Sequence, residues 1–192
     1  SLEQIPSAEP FLSIVIQAMR ENKILDLHYQ SYERDIPTIH LLHPYAVKLF
    51  KQRWYVIGLS EKKNRILIFA MDRIQELIIT DQKFRYPKEF SIHDYYRDSF
   101  GIIIDDIIVA QRIRLKVMNN QAYYFRSLPL HPSQKEIETL SEYSIFEYWL
   151  KPTYDFEQEI LSHREDVEVL EPAQLRETIK ESILKMAKIY SL

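Results

Sequence analysis

The stretch RWYVIGLSEKKNRILIFAMDRI, residues 53–74, decides the fold. Residues 53–60 and 65–71 are dense in β-branched and aromatic side chains, and the polar tetrad Glu61-Lys62-Lys63-Asn64 between them is a turn, so the segment is a β-hairpin. Working outward, short alternating runs predict further strands at 23–31, 37–50 and 74–80. Their turns fall at Tyr32-Glu33-Arg34-Asp35 and Lys51-Gln52. Upstream, Phe11, Leu12, Val15, Ala18 and Met19 recur at helical spacing and predict a helix over 9–21. A helix followed by five short antiparallel strands points to a small β-barrel, because closure removes exposed strand edges.

After this block the pattern changes. Residues 83–108 are a polar and aromatic connector, interrupted by Pro87, with a short helix near 91–98. From 110 the pattern alternates: strand 110–118, helix 119–127, strands 134–141 and 144–151, helix 154–164, strand 166–170. That order, βαββαβ, is the ferredoxin-like arrangement. A last helix opens at Pro172 and carries Leu175, Ile179, Ile183, Met186 and Tyr190 as one apolar stripe. The expected class is therefore α+β. Its parts are a linker at 1–10, a barrel domain at 11–82, a connector at 83–108 and a ferredoxin-like extension with a C-terminal helix at 109–192.

Composition narrows the chemistry. The 192 residues include two glycines and no cysteine. Gly58 and Gly101 stand far apart, so there is no phosphate-cradling glycine loop. Thiol nucleophiles, thiolate metal sites and disulfides are excluded, which fits a cytoplasmic location. The most apolar run, Phe100 to Ala110, is broken by Asp105-Asp106 and is far short of the roughly 20 residues a membrane helix needs. His40 and His43 form an HxxH, but strand geometry sends them to opposite faces, a poor chelate. No nucleophile elbow is present. The sequence is that of a non-enzyme with no cofactor and no metal.

The net charge of −3 conceals an asymmetry. Residues 40–75 carry seven bases and two acids, whereas residues 101–192 are net acidic. A basic block of this kind is either a solvated face or a local anion-attracting field.

Three pieces of the sequence then fall into a known order: His43-Pro44-Tyr45, Arg53-Trp54-Tyr55-Val56-Ile57-Gly58, and Phe69-Ala70-Met71-Asp72-Arg73-Ile74. Together they resemble the WYL domain family, over about residues 9–80. The later βαββαβ region is similar, in architecture and position, to the C-terminal extension that often follows such domains. Two departures stand out. Val56 occupies the position of the family's Leu, and Ala70 stands where many members carry another Arg, which removes one anion contact. The resemblance implies an Sm-like small barrel. It also implies a ligand-sensing part of a bacterial transcription factor, homodimeric, binding a nucleotide or single-stranded nucleic-acid-like anion. Duplex DNA would be read only by an N-terminal helix-turn-helix, of which this chain shows none. The missing initiator Met and the linker-like start fit such an upstream part.

Alternation supplies a site independently of the family. Residues 53, 55, 57 and 59 share one face of their strand, and 65, 67, 69, 71 and 73 share one face of the next. If those faces coincide, Tyr55 and Phe69 lie among Arg53, Arg65 and Arg73. Aromatic rings stack on bases and guanidinium groups grip phosphate in a fork, so this set suits a nucleotide pocket. His43 and Tyr45 extend it. Each member also has a plainer role: Tyr55 and Phe69 as core, Arg73 in a local pair with Asp72, and His43 as a structural residue at a strand bend. The competing reading of the whole chain is a pure dimerisation or protein-interaction module with no small ligand.

Overall fold

The computed structural model describes residues 9–32 and 35–190. Most of the expected linker at 1–10, and Glu33-Arg34 of the first expected turn, lie outside the described residues. The elements run in the order α1 (Glu9–Glu21), β1 (Lys23–Tyr29), β2 (Thr38–Phe50), β3 (Arg53–Ser60), β4 (Arg65–Ala70), a 3-10 turn (Met71–Arg73) and β5 (Ile74–Lys83). After these come α2 (Ile92–Tyr95), β6 (Gln111–Met118), α3 (Asn119–Ser127), β7 (Lys135–Thr139), β8 (Tyr143–Leu150), α4 (Tyr154–Ser162), β9 (Val167–Glu171) and α5 (Ala173–Tyr190). The chain divides into two compact units, Ser1–Asp94 and Tyr95–Leu192.

In the first unit the strands form one antiparallel sheet in the order β4-β3-β2-β1-β5. The expected closed barrel is not formed. Strands β4 and β5 are the two edges, and the 3-10 turn Met71–Arg73 joins them in sequence without a ladder between them. Closure needs edge-to-edge hydrogen bonds, and strand count alone does not supply them.

Both sheet faces are covered, which explains the long apolar runs in β2 and β3. On one face Val15 and Ala18 of α1 pack on Leu25, Leu27, Leu42, Val56, Phe69 and Met71. On the other, Ile24, Tyr45 and Phe84 form a smaller cluster with Leu41, Leu59, Ile66 and Phe90. Phe84 and Phe90 come from the expected connector, so its first part is packed structure. The Phe84 amide also donates to the Asn22 carbonyl at 2.9 Å.

Two backbone devices fix the register of β2 on β3. Lys51 and Gln52 both have positive φ, 43° and 62°, the conformation of a two-residue hairpin turn whose twist suits the flanking strands. Farther along, the ladder slips between Pro44 and Ala46, and Pro44 sits opposite Gly58. A Cβ on Gly58 would lie 2.2 Å from the His43 carbonyl oxygen, so only glycine admits this close approach.

The second unit follows the expected βαββαβ order, with its antiparallel sheet arranged β7-β8-β6-β9. Ile113, Leu115 and Val117 of β6 and Phe146, Tyr148 and Leu150 of β8 point to the same side, where Ala122, Phe125, Phe156, Ile160, Leu175 and Ile179 of the helices cover them. The second part of the connector is tied down here. The carboxylate of buried Asp155 accepts from the amides of Ile102 and Ile103 at 2.7 and 2.9 Å. Gly101, at φ 80°, lets the chain turn against that carboxylate; a Cβ there would lie 2.5 Å from Asp155 Oδ2.

Candidate functional site

The β3–β4 register determines which of the expected residues can act together. Tyr55 pairs with Ala70, Val56 with Phe69, and Ser60 with Arg65. Directly paired residues share a face, so Tyr55 lies with Arg53, Ile57 and Ala70, whereas Phe69 lies with Arg65, Leu67 and Val56. The shared face assumed from alternation is therefore corrected. The register is one residue off that assumption, and one residue inverts every side chain of a strand. Arg65 is also at the far end of β4 from Ala70, five residues away, or about 17 Å of extended chain.

Arg53, Tyr55 and Arg73 are brought together. Arg53 Nε lies 3.1 Å from Asp72 Oδ2. Burial on its own would lower the Arg53 pKa, but Asp72 and Tyr55 outweigh it and the net shift is upward. The Arg73 guanidinium lies over the Tyr32 ring, 4.2 Å from its centroid, a cation–π contact. Its Nε is buried and has no hydrogen-bond partner among the described residues. Tyr29 borders the same place. Burial raises its hydroxyl pKa, opposed by Arg73 and by the Ala70 backbone, with Asp72 and Tyr55 also within electrostatic reach. The 3-10 turn creates this cluster: it ends the β4 alternation and returns Arg73 toward the start of β3. Tyr29, Tyr32 and Asp72 were not among the expected site residues; the Asp72-Arg73 pair was the sequence signal for one of them.

The other expected residues lie elsewhere. His43 stacks on Phe84 at 5.0 Å and its Nε2 is 2.9 Å from Glu61 Oε1. Tyr45 is buried against Phe84, Tyr86 and Phe90, and this burial raises its pKa. Both belong to the aromatic cluster built by the connector. Phe69 is buried in the α1-side core, edge-on to Tyr29 at 5.0 Å and 4.9 Å from His40. Arg65 is exposed at the hairpin end of β4. Among the described residues no group of three His, Asp or Glu side chains could hold a metal ion, and no helix is long and apolar enough to cross a membrane.

The architecture is thus an open antiparallel sheet with an arginine–tyrosine cluster at one end, followed by a βαββαβ unit. Residues 10–79 match the WYL domain and residues 110–187 match the WCX domain. The chain thus carries a WYL domain followed by a WCX domain. Among solved structures, it is similar to the proteasome accessory factor B/C (PafBC) of Arthrobacter aurescens at 16% identity and a TM-score of 0.42, over 88% of this chain and 25% of that one. It is also similar to a structure described as a CRISPR Cas-related protein, at 15% identity and a TM-score of 0.56, over 93% of this chain and 50% of that one. The second likeness is one of fold. This chain spans only a quarter and a half of those two structures, respectively. No curated protein matches the chain.

Proposed function

We propose that the chain is the ligand-sensing, non-catalytic part of a bacterial transcription factor. Its WYL domain binds a nucleotide or single-stranded nucleic-acid-like anion at Arg53, Tyr55 and Arg73. The observation that carries this reading is Arg73: a guanidinium held over the exposed Tyr32 ring, with a buried Nε donor left unpartnered among the described residues. A phosphate oxygen satisfies that donor, and Tyr32 offers a stacking face to a base. Arg53 is already paired with Asp72, and so orients the site more than it contributes net charge. Ala70 beside Tyr55 leaves room on this face where many relatives place another arginine.

The rest of the proposal follows the family. Duplex DNA is contacted by a helix-turn-helix outside this chain, the protein works as a homodimer in the cytoplasm, and the β9-β6-β8-β7 order is read as ferredoxin-like. Fluorescence anisotropy of a labelled single-stranded oligonucleotide tests the site: binding that weakens in Arg73→Ala and in Tyr55→Ala supports it, and unchanged binding in both refutes it.

One observation favours the second reading, a pure dimerisation or interaction module. Along α5 the buried Leu175 and Ile179 continue into exposed Ile183, Leu184, Met186, Ile189 and Tyr190. Sedimentation separates the two readings: a stable dimer without oligonucleotide affinity favours the module.

A further inference from the structure

The opposite face of the same hairpin holds a second feature, built mostly from residues outside the arginine cluster. A cavity of about 270 Å³ opens between the end of β1, the start of β2 and the β3–β4 turn. Its apolar wall is Tyr29, Leu67 and Phe69, with the Tyr29 ring edge-on to Phe69. Its polar wall is Ser31, Thr38 and His40. Lys62 and Lys63 stand at the turn.

Three properties separate this cavity from an ordinary surface dent. First, Ser31 Oγ is buried and has no hydrogen-bond partner among the described residues. A buried hydroxyl without a partner costs about 1–3 kcal/mol, and a bound acceptor or donor removes that cost. Second, the polar wall is held in place from behind. Buried His40 contacts Ser60 Oγ through Nδ1 at 3.0 Å and Thr38 Oγ1 through Nε2 at 3.1 Å, while the Thr38 hydroxyl reaches the Tyr29 carbonyl at 3.4 Å. The wall is therefore fixed before any ligand arrives, which limits the ordering cost of binding. Third, neither Lys62 nor Lys63 forms an ion pair among the described residues, and both are exposed at the turn beside the cavity. Two unneutralised ammonium groups beside a preformed, half-apolar cavity favour an anion with an apolar body.

We infer that this cavity binds a small ring-bearing oxyanion. The ring lies against Leu67 and Phe69, the ring substituents meet Ser31 and Thr38, and the phosphate or carboxylate faces Lys62 and Lys63. The volume admits a single ring with its charged group and excludes a polynucleotide. The ligand contacts differ from those of the Arg53–Tyr55–Arg73 cluster, because the register places Phe69 and Tyr55 on opposite faces, although Tyr29 borders both.

The test is an NMR titration of the ¹⁵N-labelled protein with phenyl phosphate, benzoate, inorganic phosphate and benzyl alcohol at constant ionic strength. The site requires saturable shifts at the amides of Ser31, Thr38, His40, Lys62, Lys63 and Leu67. Phenyl phosphate or benzoate should bind at least tenfold tighter than inorganic phosphate or benzyl alcohol, and whichever of the two is tighter identifies the oxyanion. A Lys62→Ala/Lys63→Ala double variant, altered only at exposed positions, should weaken that binding about tenfold or more. Arg73→Ala should leave it unchanged, whatever becomes of oligonucleotide binding. No saturable shifts, equal binding of phenyl phosphate and inorganic phosphate, or shifts centred on Arg53 and Tyr55 would each overturn the inference.

Discussion

Tyr55 and Phe69 lie on opposite faces of the β3–β4 hairpin, because Tyr55 pairs with Ala70 and Phe69 with Val56. Phe69 thereby enters the core under α1, while Tyr55 joins Arg53 and the returning Arg73. One ladder thus separates two surfaces with different chemistry, an arginine–tyrosine cluster and a lysine-rimmed cavity.

The close approach of β2 to β3 at Gly58 leaves no room for a side chain. A methyl group there meets the backbone carbonyl of His43, which cannot swing away as a side chain can. Gly58→Ala is expected to destabilise this unit by about 1–3 kcal/mol. Urea unfolding followed by Trp54 fluorescence in a Trp149→Phe background measures it; a loss within error would show that the Pro44 bulge can relax.

Asp155 holds the connector onto the second unit through two amides. Asp155→Ala removes the one oxygen, Oδ2, that accepts both bonds and is expected to cost about 1.5–3 kcal/mol, the range for a charge-assisted bond. Hydrogen exchange at Ile102 and Ile103 should accelerate far more than exchange in β8. Equal acceleration throughout the unit would point to global destabilisation and not to loss of a local clasp.

The Arg126–Glu136 pair makes the second unit acid-sensitive. Arg126 Nε lies 2.9 Å from Glu136 Oε2, and this bond above all holds the Glu136 pKa down at about 2 in the folded state. Serine and threonine neighbours help it. The unfolded carboxyl titrates near the ordinary value of about 4.3. The folded value is the lower one, so the stabilisation is complete above about pH 4.5 and is lost as the pH falls toward 2. Glu136→Gln should flatten the pH dependence of the melting temperature in that window. An unaltered slope in the variant would assign the acid sensitivity to other carboxylates.

Much of the fold is legible in the residues themselves. Alternation in 23–31, 37–50 and 53–60 marks strands because each buries side chains in register with its neighbours, and Pro172 followed by the Leu175–Ile179 stripe marks the last helix. The site was less legible, for a physical reason. Alternation says which residues of one strand share a face, but not which face of the next strand joins them. That depends on the hairpin turn, and a one-residue difference exchanges Phe69 for Ala70 beside Tyr55. Barrel closure escaped for a related reason, since it rests on hydrogen bonds between edges that no local pattern encodes. Asp155 and the Ile102 amide are too far apart in sequence for their contact to show. The Asp72-Arg73 dipeptide was the most informative local signal, because a charged pair at the end of an apolar strand has to leave the ladder.

The central claim is that Arg73 grips a phosphate of the sensed ligand. Its most direct measurement is the salt dependence of single-stranded oligonucleotide affinity, by anisotropy, for the wild-type chain and Arg73→Ala. Loss of one phosphate contact should lower the slope of log K against log salt by about 0.7 and weaken binding at every salt concentration. An identical slope and affinity in the variant would contradict the claim.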